Sequence, residues 1–287
     1  SVRDLLLGLR YIDAQGRDIA VGGRTVKNVA GYDLTRFMVG SMGEFGAIHE
    51  VTLKTAAIPE QTLAVDLELD NPVWVDHSMT RWLLSDAAPV SLIMTLSGRR
   101  ALVRIDYFGR GRGCSAQLRA LEQLLRAAAP KQAHLTGTQE RRLEQDMADR
   151  TQRRRWRRTA TTLLRVVVPP AVTCQVALQL ADWAQAHGAF TIDLLPAHGR
   201  IFIGGQTPAE LALPLHQVAR TLAQRVNGLL VWHQRPAELL QQLPPFDPPP
   251  PHLEVLTRLR HRLDPQGLFN PGRICPLVPA NSQGANA

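Results

Sequence analysis

The sequence predicts an α+β protein: a short, mostly strand-and-turn opening segment, then a larger antiparallel sheet with helices on one face. Three observations carry this. Residues 1–58 alternate between apolar runs and turn residues. From residue 60 onward, strand-like and helix-like periodicities follow one another as β-α-β-β-α. The same order returns after residue 160, as two ferredoxin-like units would require.

Taken in order, LLLGLRYID (5–13) reads as a strand running from the start of the chain. AQGR is a turn, and DIAVGG (18–23) is the returning strand. NVAGYDLTRFMVG (28–40) is a loop or short helical turn. AIHEVTLKTAAI (47–58) is a strand with Ile48, Val51 and Leu53 as its apolar positions, stopped by Pro59. TLAVDLELD (62–70) opens the larger region. The helix at 71–87 starts on Asn71 as N-cap with Pro72 in the first turn. VSLIMTL and ALVRIDYF form a hairpin around SGRR. The helix at 115–129 puts Leu118, Leu121, Leu124 and Leu125 on one face. The second unit comprises a strand at 162–168, a helix at 171–188 closed by Gly188, and a hairpin from 190–196 and 200–205. A helix at 208–228 follows, with Thr207, Pro208 and Glu210 as a capping box, and then a strand at 229–234. Residues 134–160 are polar and arginine-rich, ending in RRRWRR (153–158), and carry no predicted element. LPPFDPPPPHL (243–253) reads as a rigid linker, 253–263 as a last helix, and 278–287 as a disordered tail. Three segments result: 1–58, 59–245 and 246–287.

Composition limits the function classes. The 287 residues are 45% hydrophobic and 20% charged, an ordinary globular balance. The net charge of +8 is almost all arginine, since Lys27, Lys54 and Lys131 are the lysines, and arginine is spread along the whole chain. That distribution argues against a nucleic-acid surface. RRRWRR alone reads as a solvated face or a docking strip for an acidic partner. Cys114, Cys174 and Cys275 lie far apart with no C-x-x-C pair, so no metal or iron–sulfur site is expected from this chain. No apolar run reaches the ~20 residues of a membrane helix. The chain opens at Ser1 directly on an apolar run, so the expected reading is the later part of a longer protein.

The densest signal is VKNVAGYDLTRFMVGSMGEFGAIHEVTLK (26–54). Gly40-Ser41-Met42-Gly43-Glu44-Phe45-Gly46 is G-x-x-G-x-x-G leading into a strand. A Walker loop needs G-x-x-x-x-G-K-[ST], and a Rossmann turn needs G-x-G-x-x-G opening a helix; neither is present. Two readings remain: a backbone nest whose N–H groups meet an anion, aided by the Ser41 hydroxyl, or a glycine-rich turn between buried elements.

These residues also carry a resemblance. SVRDLLLG, GGRTVKNVAGYDLTRFMVGSMGEFGAIHEVTLK and LDPQGLFNPGR together resemble the FAD-binding E subunits of bacterial glycolate oxidases, within the vanillyl-alcohol-oxidase-like (PCMH-type) flavoproteins. The likeness is specific over 1–58 and 252–274 and rests on element order between. It implies that 1–58 is the second lobe of an FAD-binding domain, 59–245 the cap over the flavin, and 246–287 the return to the flavin domain. The family pattern G-S-x-G-x-x-G-x-I falls on Gly40, Ser41, Gly43, Gly46 and Ile48, and K-N-x-x-G-Y-D-L on Lys27, Asn28 and Gly31 onward. N-P-G falls on Asn270. The implied cofactor is FAD, held noncovalently and only poorly by these residues alone. The implied reaction takes two electrons from a small 2-hydroxy acid such as glycolate. The implied partners are a catalytic flavoprotein subunit and an iron–sulfur subunit, in the cytoplasm or at the inner face of the cytoplasmic membrane.

The sequence departs from the family in places. Met42 and Glu44 replace a glutamate and a threonine common in relatives, which removes side-chain contacts but not backbone ones. The histidine-rich cap motifs of catalytic relatives are missing: PAHGRIFIGG holds only His198. Val26 and Ala30 stand where some relatives use arginine and threonine to hold a carboxylate. Catalytic residues are therefore unassigned, and a non-catalytic structural subunit or a basic binding module stay as alternatives. Flavin absorbance separates the first reading from these two.

Overall fold

A computed structural model of the chain describes residues 2–23, 33–128, 133–141, 143–188 and 190–275. It divides into two compact units, one of Ser1–Ala57 with Pro249–Ala287 and one of Ile58–Pro248. The described residues are mixed helix and strand, as the periodicities predict.

The smaller unit starts with a helical turn, α1 (Val2–Leu5), before β1 (Leu6–Ile12) and β2 (Asp18–Gly22). The expected strand from Leu5 therefore starts one residue late. Its ladder still reaches Leu5, whose carbonyl accepts from Lys54 N at 2.7 Å. The β1–β2 turn is set by Asp13, whose carboxylate accepts from the backbone of Gln15 and Arg17, with Gly16 at φ 75°. Next come α2 (Leu34–Met38) and β3 (Ala47–Leu53), and the sheet order is β2-β1-β3, all antiparallel. A small core of Leu9, Met38 and Phe45 joins sheet to helix.

The larger unit is one nine-stranded antiparallel sheet. Its first half is β4 (Gln61–Leu69), α3 (Val73–Leu83), β5 (Ser91–Ser97), β6 (Arg100–Gly109), α4 (Gly111–Ala128) and β7 (Ala133–Arg141). Then α5 (Leu143–Arg153) and α6 (Arg155–Thr159) cross to the second half. That half is β8 (Thr162–Val167), α7 (Thr173–His187), β9 (Thr191–Leu195), β10 (Arg200–Gly205), α8 (Ala212–Gln224) and β11 (Leu229–Gln234), with β12 (Phe246–Asp247) added at its edge. Helix α9 (Leu253–Leu263) returns to the smaller unit. The sheet order is β12-β11-β8-β10-β9-β5-β6-β4-β7. Within each half, strands one to four lie in the order 4-1-3-2, so each half is a complete ferredoxin-like βαββαβ unit. The halves meet at their second strands, through Met94 beside Leu194 and Thr95 beside Asp193.

One sheet face is apolar and packs under α3, α4, α7 and α8. Val65, Leu67, Val103, Ile105, Leu164, Val166, Ile201 and Ile203 from the strands meet Val75, Trp82, Leu121, Leu180 and Leu215 from the helices, all buried. Asn71, expected as the cap of α3, stands one residue ahead of the observed N-cap Pro72 and accepts from Val73 N at 3.1 Å.

Four expectations are corrected. The region 134–160 is not irregular: it supplies an edge strand and two helices. Strand β7 has no apolar alternation, and its ladder to β4 orders it instead. Helices α5 and α6 lie against β4 and β10 on the polar side of the sheet, so helices occupy both faces. The Thr207 capping box does not form, because α8 starts at Ala212 after a 3-10 turn at 209–211. Thr207 N instead donates to Thr161 Oγ1 at 3.1 Å. The proline-rich linker is partly sheet, since Phe246 and Asp247 pair with Val231 and Leu230. The tail at 278–287 lies outside the described residues.

Candidate functional site

The glycine loop hangs between α2 and β3. Asp33 caps α2 by accepting from Arg36 N at 2.9 Å. Ser41 N donates to Met38 O and Glu44 N to Ser41 O, which winds the loop into consecutive tight turns. Gly40, Met42 and Gly43 have φ of 87°, 51° and 79°, left-handed backbone that favours glycine.

The glycines differ in what surrounds them. A Cβ on Gly40 would meet nothing within 4 Å among the described residues. One on Gly43 would lie 3.5 Å from Asn270 Cβ. One on Gly46 would strike the Tyr11 ring at 2.6 Å and Ile12 O at 2.9 Å. Gly46 is therefore shaped by packing on β1, and the side open to a close approach belongs to Gly40.

The loop is fastened to the C-terminal segment by its most deeply buried polar residue. Glu44 is fully buried, and its carboxylate accepts from the backbone N–H of Arg273 and Ile274, both at 2.6 Å, and of Cys275 at 3.0 Å. Three amides thus form a nest around one anion. Asn270 Nδ2 donates to Met42 O at 2.6 Å. Asp264 holds the approach to this clasp, accepting from Leu268 N and Phe269 N at 2.9 Å each. Burial and the adjacent Glu44 carboxylate push the Cys275 thiol up to about 11.

A second polar region occupies the face of the large sheet opposite its main helix layer. Arg104, 4% exposed, donates from Nη1 to both carboxylate oxygens of Asp66 (2.8 and 2.7 Å) and from Nε to Asp106 at 3.2 Å, and lies 3.5 Å from Asp149 on α5. Arg150 pairs with Asp106 at 2.8 Å and stacks over Phe108. Towards the second half, Asp193 accepts from Thr95 at 2.7 Å, Trp156 Nε1 at 3.0 Å and Arg157 Nη2 at 2.8 Å. Arg157 also lies 3.8 Å above the Phe202 ring, and burial lowers its pKa. The motif RRRWRR is thus not all a solvated strip: Trp156 and Arg157 turn inward. Arg104, Asp106, Arg150, Trp156 and Asp193 line a cavity of about 480 Å³ together with Arg154.

The structure brings Gly40, Ser41, Gly43, Gly46 and Asn270 into one place. Ser41 is buried, and Ile48 follows on β3 with 43% exposure, paired with Tyr11. Lys27, Asn28 and Gly31 lie outside the described residues. Sequence reasoning missed the Glu44 clasp and the charged sheet face. The signal for the second was present: VRIDYF places Arg104 and Asp106 at strand spacing on one face inside an apolar run. Among the described residues no cluster of His, Cys, Asp and Glu can hold a metal ion, and no helix is long and apolar enough to cross a membrane.

No family model matches this chain. It is 45% identical over 69 residues to glycolate oxidase subunit GlcE of Escherichia coli (strain K12), a stretch covering 24% of this chain and 20% of that protein. It is 47% identical over 58 residues to glycolate oxidase subunit GlcD of Bacillus subtilis (strain 168), covering 20% and 12%. The matched stretches span a fifth or less of these relatives' own length. Among solved structures, the Acremonium strictum glucooligosaccharide oxidase, described with a 6-S-cysteinyl, 8α-N1-histidyl FAD, superposes with TM-score 0.64 at 10% identity, over 96% of this chain and 67% of that one. Over these stretches the chain is similar in sequence to glycolate oxidase subunits, and it shares the fold of the glucooligosaccharide oxidase.

Proposed function

We propose that this chain is an FAD-binding subunit of a glycolate (2-hydroxy acid) oxidase or dehydrogenase. One observation carries the reading furthest. The chain matches a glycolate oxidase subunit at 45% identity over 69 residues and carries a loop whose open glycine, Gly40, admits close approach of a ligand to left-handed backbone. The residues fit a flavin nucleotide in part. Gly40 and Gly43 offer backbone without side chains, and Ser41 adds a hydroxyl. Gly46 is taken up by Tyr11 and acts in packing. Glu44 and Asn270 hold the loop in shape rather than touch the nucleotide. Lys27, Asn28 and Gly31 belong to the same reading as the flavin-side wall, and Ile48 to the loop pattern whose backbone packs against the FAD.

When bound, FAD would supply the acceptor for the two electrons that leave the substrate carbon as a hydride. The chain's own part is to bind and orient: the small unit as the second lobe of the flavin domain, the large sheet as the cap. A catalytic flavoprotein subunit and an iron–sulfur subunit that carries electrons away complete the proposal. The cytoplasm, or the inner face of its membrane, is the place that suits them. The test is glycolate-dependent dye reduction by the chain alone and co-expressed with its partners. Activity only in the complex, together with flavin absorbance, is the expected result. Full activity of the lone chain overturns the subunit role, and absence of flavin from the complex overturns the cofactor.

A further inference from the structure

Arg165 lies in the middle of β8, in one transverse row with Val231 on β11, Phe202 on β10 and Asp193 on β9. Its Nε is shielded from solvent and donates to no acceptor among the described residues. The nearest acid in the row, Asp193, is committed to Thr95, Trp156 and Arg157. It also stands two strands away, about 10 Å at the usual strand spacing. The charged neighbour that acts on Arg165 is a second cation, Arg200, and burial and Arg200 both lower its pKa. A guanidinium does not shed its proton in a protein, so lowering its pKa leaves the charge in place. A half-buried cation beside another cation is unfavourable unless an anion offsets it. The surroundings are otherwise aromatic: Phe202 carries the Arg157 guanidinium at 3.8 Å from its ring centroid and lies tilted 6.1 Å from the His233 ring.

We propose that Arg165, assisted by Arg200, anchors the carboxylate of a small organic acid on this face of the sheet, with the ligand's carbon end against Phe202. The choice of a carboxylate rests on the 2-hydroxy acid reading above; the need for an anion rests on the charges alone. Arg104, by contrast, carries no such need, because Asp66 and Asp106 already pair with it.

The test is calorimetric titration of the full chain with glycolate, acetate and inorganic phosphate, in the wild type and in Arg165→Gln, Arg200→Gln and Arg126→Gln. Arg126 is 82% exposed and controls for the loss of one charge. Saturable carboxylate binding is expected, weakened about tenfold or more by Arg165→Gln and unchanged by Arg126→Gln. Arg200→Gln should weaken it about threefold, as a more distant and exposed charge. Thermal unfolding of Arg165→Gln at or above the wild-type midpoint shows that the residue binds rather than staples. Equal affinity in Arg165→Gln and wild type, no saturable carboxylate binding, or binding of phosphate only would each overturn the proposal. Carboxylate binding controlled by Arg165, in a complex that does not oxidise glycolate, leaves this site standing and overturns the functional reading alone.

Discussion

Arg104 and Arg165 stand on the same face of one sheet, one in each βαββαβ half. Arg104 meets Asp66, Asp106 and Asp149, and these contacts hold α5 onto the strands. Arg165 has no acid partner among the described residues and neighbours Arg200. Topology is therefore shared while the use of buried charge is not. In the first half, charge is compensated within the chain and serves docking of a helix. In the second, the compensation stops at Asp193 and Arg157, with Asp193 two strands away from Arg165. Equivalent backbones thus leave the open face free to specialise, because the core that fixes the fold lies on the other side.

The largest effect should separate the two arginines. Arg104→Met removes the buried cation shared by Asp66 and Asp106, leaving Asp106, which is 1% exposed, with Arg150 as its cation, and should cost about 3–5 kcal/mol in chemical denaturation. Arg165→Met should stay within about 1 kcal/mol of wild type or gain stability, since it removes a cation without orphaning an acid. Similar losses in both would break the comparison.

Glu44 extends it to an anion held chiefly by backbone amides. Glu44→Ala removes the acceptor for three N–H groups and should cost about 2–3 kcal/mol. Protection of the Arg273, Ile274 and Cys275 amides from hydrogen exchange should fall with it. A smaller loss, about 1–2 kcal/mol, is expected for Asp193→Asn, which keeps the shape and weakens the bonds to Arg157 and Trp156. Tryptophan fluorescence reads that change at Trp156.

The smallest effect is in pH dependence. His216 is buried with Nδ1 accepting from Trp232 Nε1 at 3.2 Å and Nε2 facing Asp247 at 3.1 Å. Burial chiefly lowers its pKa from the ordinary 6.5, with Arg220 adding to this and Asp247 opposing it. The unfolded chain then takes up the proton more readily, so stability is lost as pH falls below 6.5. His216→Phe should flatten that slope in pH-dependent denaturation, and an unchanged slope would assign it elsewhere.

Much of the fold was legible because it is written in apolar periodicity. The strands and helices under the main core repeat at their own spacings, and Gly188 marks an end that sequence rules anticipate. Strand β7 was not legible, because AHLTGTQER has no apolar face and is ordered by pairing with β4. The capping box failed for a related reason: Thr161, far away in sequence, competes for the Thr207 backbone. At the candidate site, glycine spacing marked the loop, but not which glycine is open and which is packed. Tyr11 decides that for Gly46, and its proximity is a tertiary fact. Glu44 read as a departure from a family pattern, while its role comes from amides more than 200 residues along the chain.

The central claim, that FAD approaches the loop at Gly40, is tested most directly by titrating the wild-type chain and Gly40→Val with FAD and following flavin fluorescence. Saturable quenching in the wild type, weakened about tenfold or more by Gly40→Val, is the expected result. Equal affinity in the two chains, or no saturable binding up to the solubility limit of FAD, would contradict it.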